Sequence, residues 1–184
     1  MAVLTSRARF LLVFAALLIR GAAPHAQAPP TGERAVKAAF LYNFTKFVEW
    51  PSSAFDGTSG PFTVCVFAGD GFGRDVDEML SGESVGGRRL RVVRREGEDA
   101  RGCHIAYFTA GTEAERVLRG VRRSPVLTVG EGKRFLEQGG LISFVLEDNR
   151  VRFDVNKGAI DGAGLTISSK LLRIARTVNP PGGR

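Results

Sequence analysis

Histidine is nearly missing from this chain: two in 184 residues, His25 and His104. One histidine beyond the leader leaves no histidine-rich metal site, and a Cys103/His104 nucleophile pair fails because neighbouring strand residues point to opposite faces. Cysteine is equally sparse, with only Cys65 and Cys103. Long apolar runs are lacking too. The longest, Phe10 to Ile19, falls short of the roughly 20 residues that a membrane-spanning helix needs. Preceded by Arg7 and Arg9 and followed by the small-x-small site Ala26-Gln27-Ala28, it reads as a secretory signal peptide over 1–28. Internal repeats and low-complexity tracts are absent.

What remains is a single domain over 29–178, with 179–184 (two prolines and two glycines) read as a disordered tail. The chain is expected to be exported to the periplasm. Losing Arg7, Arg9 and Arg20 with the leader takes the net charge from +7 to +4. The basic residues cluster at Arg88, Arg89, Arg91, Arg94 and Arg95, and again at Arg116, Arg119, Arg122 and Arg123. In an exported protein these read as solvated surface or edge-strand protection, with docking of an acidic partner or anionic ligand as the sharper alternative; nucleic acid is not an expected partner. In an oxidising compartment Cys65 and Cys103 read first as a disulfide and otherwise as two buried thiols. Closing that loop would stabilise the fold by roughly 4 kcal/mol on the chain-entropy model.

Strand and helix patterns alternate along the chain. A Phe-rich helix ends at Trp50-Pro51, with Val36, Phe40, Leu41, Phe44, Phe47 and Val48 inward and Thr45, Lys46 and Glu49 outward. Asn43, at the border of the apolar side, is expected to make a buried hydrogen bond to backbone. Phe62 to Gly69 reads as a buried strand, followed by a glycine-rich turn and a helix carrying Val76, Met79 and Leu80. A short arginine-rich strand follows around Leu90 and Val92, then a strand from Cys103 to Ala110 and a helix from Thr112 to about Gly120. Pro125 to Gly130 is a strand and Gly132 to Gln138 a short helix. Leu141 to Leu146 and Val151 to Val155 read as an antiparallel hairpin turned by Glu147-Asp148-Asn149-Arg150. A short helix around Asn156 to Asp161 comes next, and Ser168 or Ser169 caps a last helix with Leu171, Leu172 and Ala175. The fold class is therefore α/β: a mostly parallel sheet with helices on both faces, three-layered and Rossmann-like, ending in an antiparallel hairpin and a C-terminal helix. A doubly wound order would set the Phe62 strand between the arginine-rich strand and the Cys103 strand, bringing the two cysteines together.

The one phosphate-like motif is Gly69-Asp70-Gly71-Phe72-Gly73, between a strand and a helix. It lacks the full dinucleotide spacing and a following lysine, so a tight turn is favoured over a ligand loop. No cofactor is expected. The acidic group Asp75, Asp77 and Glu78 reads as a helix start favoured by the helix dipole.

Three stretches in order, KAAFLYNFTKFVEWP (37–51), GGLISFVLEDNRVRFDVN (139–156) and ISSKLLRIA (167–175), resemble the YfiR-like periplasmic family. The resemblance implies a non-enzymatic regulator that binds the periplasmic sensor region of a membrane-bound diguanylate cyclase and holds it inactive, lowering cyclic-di-GMP and biofilm formation. It further implies release by an OmpA-like outer-membrane lipoprotein, and homodimer formation is known among members. Some relatives carry a second cysteine pair, which this chain lacks. The candidate partner-facing residues are Tyr42, Lys46 and Trp50 on the helix and Glu147, Asp148, Asn149, Arg150 and Arg152 on the hairpin. A small-ligand sensor for a nucleotide or amino acid near Gly69, Gly71 and Gly73, or an adaptor for another membrane receptor, stands as the alternative.

Overall fold

The computed structural model describes residues 32–67, 71–97, 99–112 and 114–179. The signal peptide, Gly69 and the tail beyond Asn179 lie outside the described residues. In chain order the elements are α1 (Glu33–Phe47), β1 (Val48–Glu49), β2 (Phe62–Phe67), α2 (Phe72–Leu80), β3 (Ser84–Val85) and β4 (Arg88–Arg94). Then come β5 (Ile105–Phe108), α3 (Glu115–Val121), β6 (Leu127–Glu131), α4 (Lys133–Glu137), β7 (Ile142–Glu147) and β8 (Arg150–Asn156). The chain closes with α5 (Lys157–Gly162), β9 (Thr166–Ile167), α6 (Ser169–Ile174) and β10 (Thr177–Asn179).

One eight-stranded sheet runs β10-β8-β7-β6-β5-β2-β4-β3. It is parallel from β7 through β4, while β8 is antiparallel to β7 and β3 to β4. Central strands of such a sheet are covered on both faces, so they carry apolar residues at every position rather than alternately. All six residues of β2 are buried. Val64 and Val66, with Ile105 and Tyr107, join one core against α1, α2 and α6. Cys65 and Phe67, with Ala106 and Phe108, join a second against α3 and α4. The expected three layers are present, and β2 lies between β4 and β5 as a doubly wound order requires. Cys65 and Cys103 are bonded, with Cα atoms 5.7 Å apart.

The Phe-rich helix forms, but its buried face is rotated from the expected one. Ala38, Leu41 and Phe44 are fully buried, each larger side chain worth about 1.5–3 kcal/mol of transfer free energy. Val36 is 42% exposed, Asn43 is exposed, and Thr45 is buried. Thr45 tolerates burial because its hydroxyl donates to the Tyr42 carbonyl at 2.6 Å. The helix stops at Phe47 because Val48 and Glu49 pair with Ile167 and Thr166 of β9, a tertiary contact invisible to helical periodicity. The hairpin turn is tighter than four residues: Glu147 and Arg150 pair across the ladder, leaving Asp148 and Asn149 as the turn. The chain does not end on α6. Strand β10 follows, with Thr177, Val178 and Asn179 parallel to Asp154, Val155 and Asn156 of β8.

Phe135 is wedged between two glycines. A Cβ on Gly130 would lie 2.3 Å from its ring, and one on Gly140 would lie 2.2 Å away. Only hydrogen fits at either position, which fixes α4 against the sheet.

Candidate functional site

Chain direction across the sheet reverses between β2 and β5, so the crevice where ligands meet doubly wound sheets lies outside the carboxyl ends of these strands. A charged network is built next to it. Tyr107, in β5, donates through its hydroxyl to Glu131 at the end of β6. Lys37, in the second turn of α1 and only 8% exposed, sits 2.9 Å from the same Glu131 carboxylate and 2.5 Å from Glu33. Burial alone would lower the Lys37 pKa, but its hydrogen bonds to Glu33 and Glu131 and their charges outweigh it and raise the value.

Glu131 lines two hollows. The larger, of about 790 Å³, lies between α3 and α4 and is lined by Thr109, Thr112, Arg116, Arg119, Arg134 and Gln138 among others. The smaller, of about 450 Å³, lies between the start of α1 and the hairpin, with Lys37, Phe144, Leu146, Val151 and Arg176 on its walls.

The glycine motif sits elsewhere. Gly71 takes a left-handed conformation (φ 82°) as it caps α2. Gly73 is where α2 approaches β4: a Cβ there would come within 2.8 Å of the Arg94 side chain. Close helix–strand packing accounts for Gly73, and turn geometry for Gly71. Arg34 is held 2.5 Å from Asp75 beside this turn.

The partner candidates fall in two separate places. On α1, the Lys46 ammonium lies 3.9 Å from the centre of the Tyr42 ring, and the Tyr42 hydroxyl donates to Glu83 beyond α2. Trp50 is half-buried: its indole donates to the His104 carbonyl at 3.2 Å and meets Phe62 edge-on at 4.8 Å. At the far side of α1, the hairpin carries Glu147, Asp148, Asn149, Arg150 and Arg152, all exposed. Asp148 and Asn149 both have positive φ, 48° and 57°. Leu146 next to them is 56% exposed, and Ile174 and Val178 are exposed as well.

His104 is buried, as a structural group would be. Its ring stacks between Phe55 at 4.5 Å and Phe62 at 4.7 Å, and its Nδ1 accepts from the Thr63 N–H at 3.0 Å. Its Nε2 is buried without a hydrogen-bond partner. Among the basic clusters, Arg88 is committed to structure: it donates to the Gly57 and Gly60 carbonyls and covers the Phe55 ring.

Pattern reading missed Lys37, Glu131, Asp154, Arg176 and Arg134. Lys37 carried one signal, since it follows Glu33 by four residues and borders the apolar stripe. The others meet only through strand order. Among the described residues no group of three or more His, Cys, Asp or Glu side chains could hold a metal, and no helix is long and apolar enough to cross a membrane.

The sequence pattern of the YfiR/HmsC-like family matches residues 34–176. No curated protein matches the chain. Among solved structures, the crystal structure of a conserved domain protein from Vibrio cholerae O1 biovar El Tor str. N16961 is similar at a TM-score of 0.54 and 10% identity. The likeness covers 80% of this chain and 60% of that one, and at this identity it shows shared fold alone.

Proposed function

The chain belongs to the YfiR/HmsC-like family, and from that premise we propose a non-enzymatic periplasmic protein that binds and represses an inner-membrane diguanylate cyclase. Membership suggests a periplasmic regulator of diguanylate cyclase signalling; the direct partner and the repressive sign are our reading. The observation that carries it to a surface is the β7–β8 hairpin tip. It presents Leu146, Arg150 and Arg152 beside a two-residue turn of Asp148 and Asn149, a mixture of apolar and charged groups suited to a protein partner. Tyr42 and Lys46 supply a second contact area on α1, and Trp50 supports that area from within.

Repression is a population shift. The regulator must bind the cyclase's inactive state more tightly than its active one, and a swing from 1:99 to 99:1 needs a preference of about 10⁴-fold. An OmpA-like outer-membrane lipoprotein that competes for the same surface would relieve it, and self-pairing would hide it. An adaptor role toward another membrane receptor would use the same surface.

Crosslinking the tagged protein in intact cells, with mass spectrometry of what is captured, tests the reading. Recovery of a cyclase with a periplasmic sensor segment, and a rise in cyclic-di-GMP on deletion of this protein, are the expected results. Capture of no membrane protein, with cyclic-di-GMP unchanged, would sink it.

A further inference from the structure

We infer that the 790 Å³ cleft between α3 and α4 binds a small, multiply charged anion, of the phosphate-ester or polycarboxylate class, through Arg116, Arg119 and Arg134. This goes beyond the partner reading and stands without it, because the cleft shares no residue with the hairpin tip.

Position comes first. The cleft opens at the carboxyl ends of β5 and β6, the end of a parallel sheet at which loops rather than strand ladders supply the groups that meet ligands. Its volume lies within the usual range for small-molecule sites, about 300–1,000 Å³. Charge comes second. Arg116 and Arg119 are three residues apart, so they share one side of α3. Arg134 and Gln138 are four apart, on α4 and on the path down from it, and line the same cleft. Three guanidinium groups around one hollow repel one another, and an anion between them reverses the sign of that interaction. Among the described residues, the two carboxylates on the lining are engaged: Glu115 with Arg119, and Glu131 with Lys37 and Tyr107. The arginine fork retains donors after one such pairing, since it carries five N–H groups.

Rigidity comes third. The base of the cleft is the Phe108–Phe135 ring pair, with centroids 5.7 Å apart, and Phe135 is locked by Gly130 and Gly140. Thr109 and Thr112 are tied to each other at 3.2 Å, and the Thr112 hydroxyl donates to the Phe67 carbonyl at 3.1 Å. That pins Thr109 and Thr112 to the end of β2. A site whose walls are held before binding loses little ordering entropy on association.

Calorimetric titration of the intact exported protein with pyrophosphate and with citrate, at matched ionic strength, tests the inference. Saturable one-to-one binding of either is expected, and the tighter of the two identifies phosphate or carboxylate as the recognised group. Arg134→Gln and Arg116→Gln, made singly, should each weaken it at least tenfold while leaving the ligand-free melting temperature unchanged, because both side chains are exposed. Saturation by neither anion, or binding indifferent to both substitutions, would overturn it.

Discussion

Arg176 forks onto Asp154 across the β8–β10 boundary: Nε donates to Oδ1 at 2.8 Å, and Nη2 to Oδ2. The backbone reinforces the pair, since the Arg176 N–H donates to the Phe153 carbonyl at 2.8 Å. Arg176 also reaches Glu147 at 3.4 Å, so one side chain ties the last strand to both strands of the hairpin. Its hydrogen bonds to Asp154 raise its pKa further above the already high arginine value, so the pair stays intact up to strongly alkaline pH. Arg176→Ala leaves the buried Asp154 carboxylate without its main counter-charge. The cost should be about 2–3 kcal/mol, below that of a wholly buried pair because the guanidinium is partly solvated. Urea unfolding of Arg176→Ala, Asp154→Ala and the double variant would measure the coupling, and a coupling near zero would show that the last strand does not depend on the pair.

Two glycines permit a sharp contrast. Gly130→Ala drives a methyl into the Phe135 ring and should destabilise by about 2 kcal/mol through forced repacking. Gly120→Ala, inside α3 with nothing within 4 Å of the new Cβ, should stabilise by about 0.5–1 kcal/mol through helix propensity. Thermal melts of the two variants should shift in opposite directions. A neutral Gly130→Ala would mean that the α4 region repacks freely.

Burial, the largest influence, lowers the His104 pKa below its usual 6.5, and the Arg88 charge adds to the effect, while the Asp56 charge opposes it. The sign follows directly. Well above pH 6.5 the imidazole is neutral in both states and contributes no pH dependence. As pH falls through 6.5 the unfolded chain takes up a proton that the folded chain resists, so stability drops until the folded pKa is also passed. The slope approaches 1.4 kcal/mol per pH unit at most. Trp50, the only tryptophan and a donor to the His104 carbonyl, provides the fluorescence signal. Between pH 7 and 5, His104→Gln should lose the part of the slope due to this group. Parallel profiles for the two proteins would remove His104 as the cause.

Much of the architecture was legible because its signals are local. β2 is apolar at every position, Ser168 caps α6 by accepting from the Lys170 N–H, and the polar turn between β7 and β8 breaks two apolar runs. The position of β2 between β4 and β5 followed from strand alternation, and it carried Cys65 to Cys103. What escaped was long-range. The β1–β9 pairing ends α1 from a segment more than a hundred residues away, and β10 is a strand only because β8 offers it an edge. The Lys37–Glu131–Tyr107 network and the α3–α4 cleft draw on three or more elements each. Periodicity places Arg116 and Arg119 on one side of a helix, but only sheet order brings Arg134 across from them.

Cys65 and Cys103 are 38 positions apart and both buried. Cys65→Ala combined with Cys103→Ala should lower unfolding free energy by about 4 kcal/mol at most, the chain-entropy value for such a loop. Burial should also shield the bond from reductant in the native state. Dithiothreitol should cleave it only as fast as the domain opens, so thiol release should accelerate sharply in urea. Rapid release in buffer alone would show that the second core opens on its own.

The hairpin tip separates folding from partner contact. Asp148 and Asn149 both occupy the left-handed region, which β-branched residues resist, so Asn149→Val should cost about 1 kcal/mol and Asn149→Gly almost nothing. Arg152 is exposed and, among the described residues, its side chain makes no hydrogen bond or ion pair. Arg152→Glu should therefore leave stability within about 0.5 kcal/mol of the parent. If the tip is the docking surface, the same reversal should abolish crosslinking to the membrane partner by removing a complementary charge at the contact. Arg150→Glu should do likewise, with a small added cost because it sets two carboxylates opposite each other at Glu147. Retained crosslinking in both variants, with unchanged melting, would move the docking surface away from the hairpin and onto Tyr42 and Lys46 of α1.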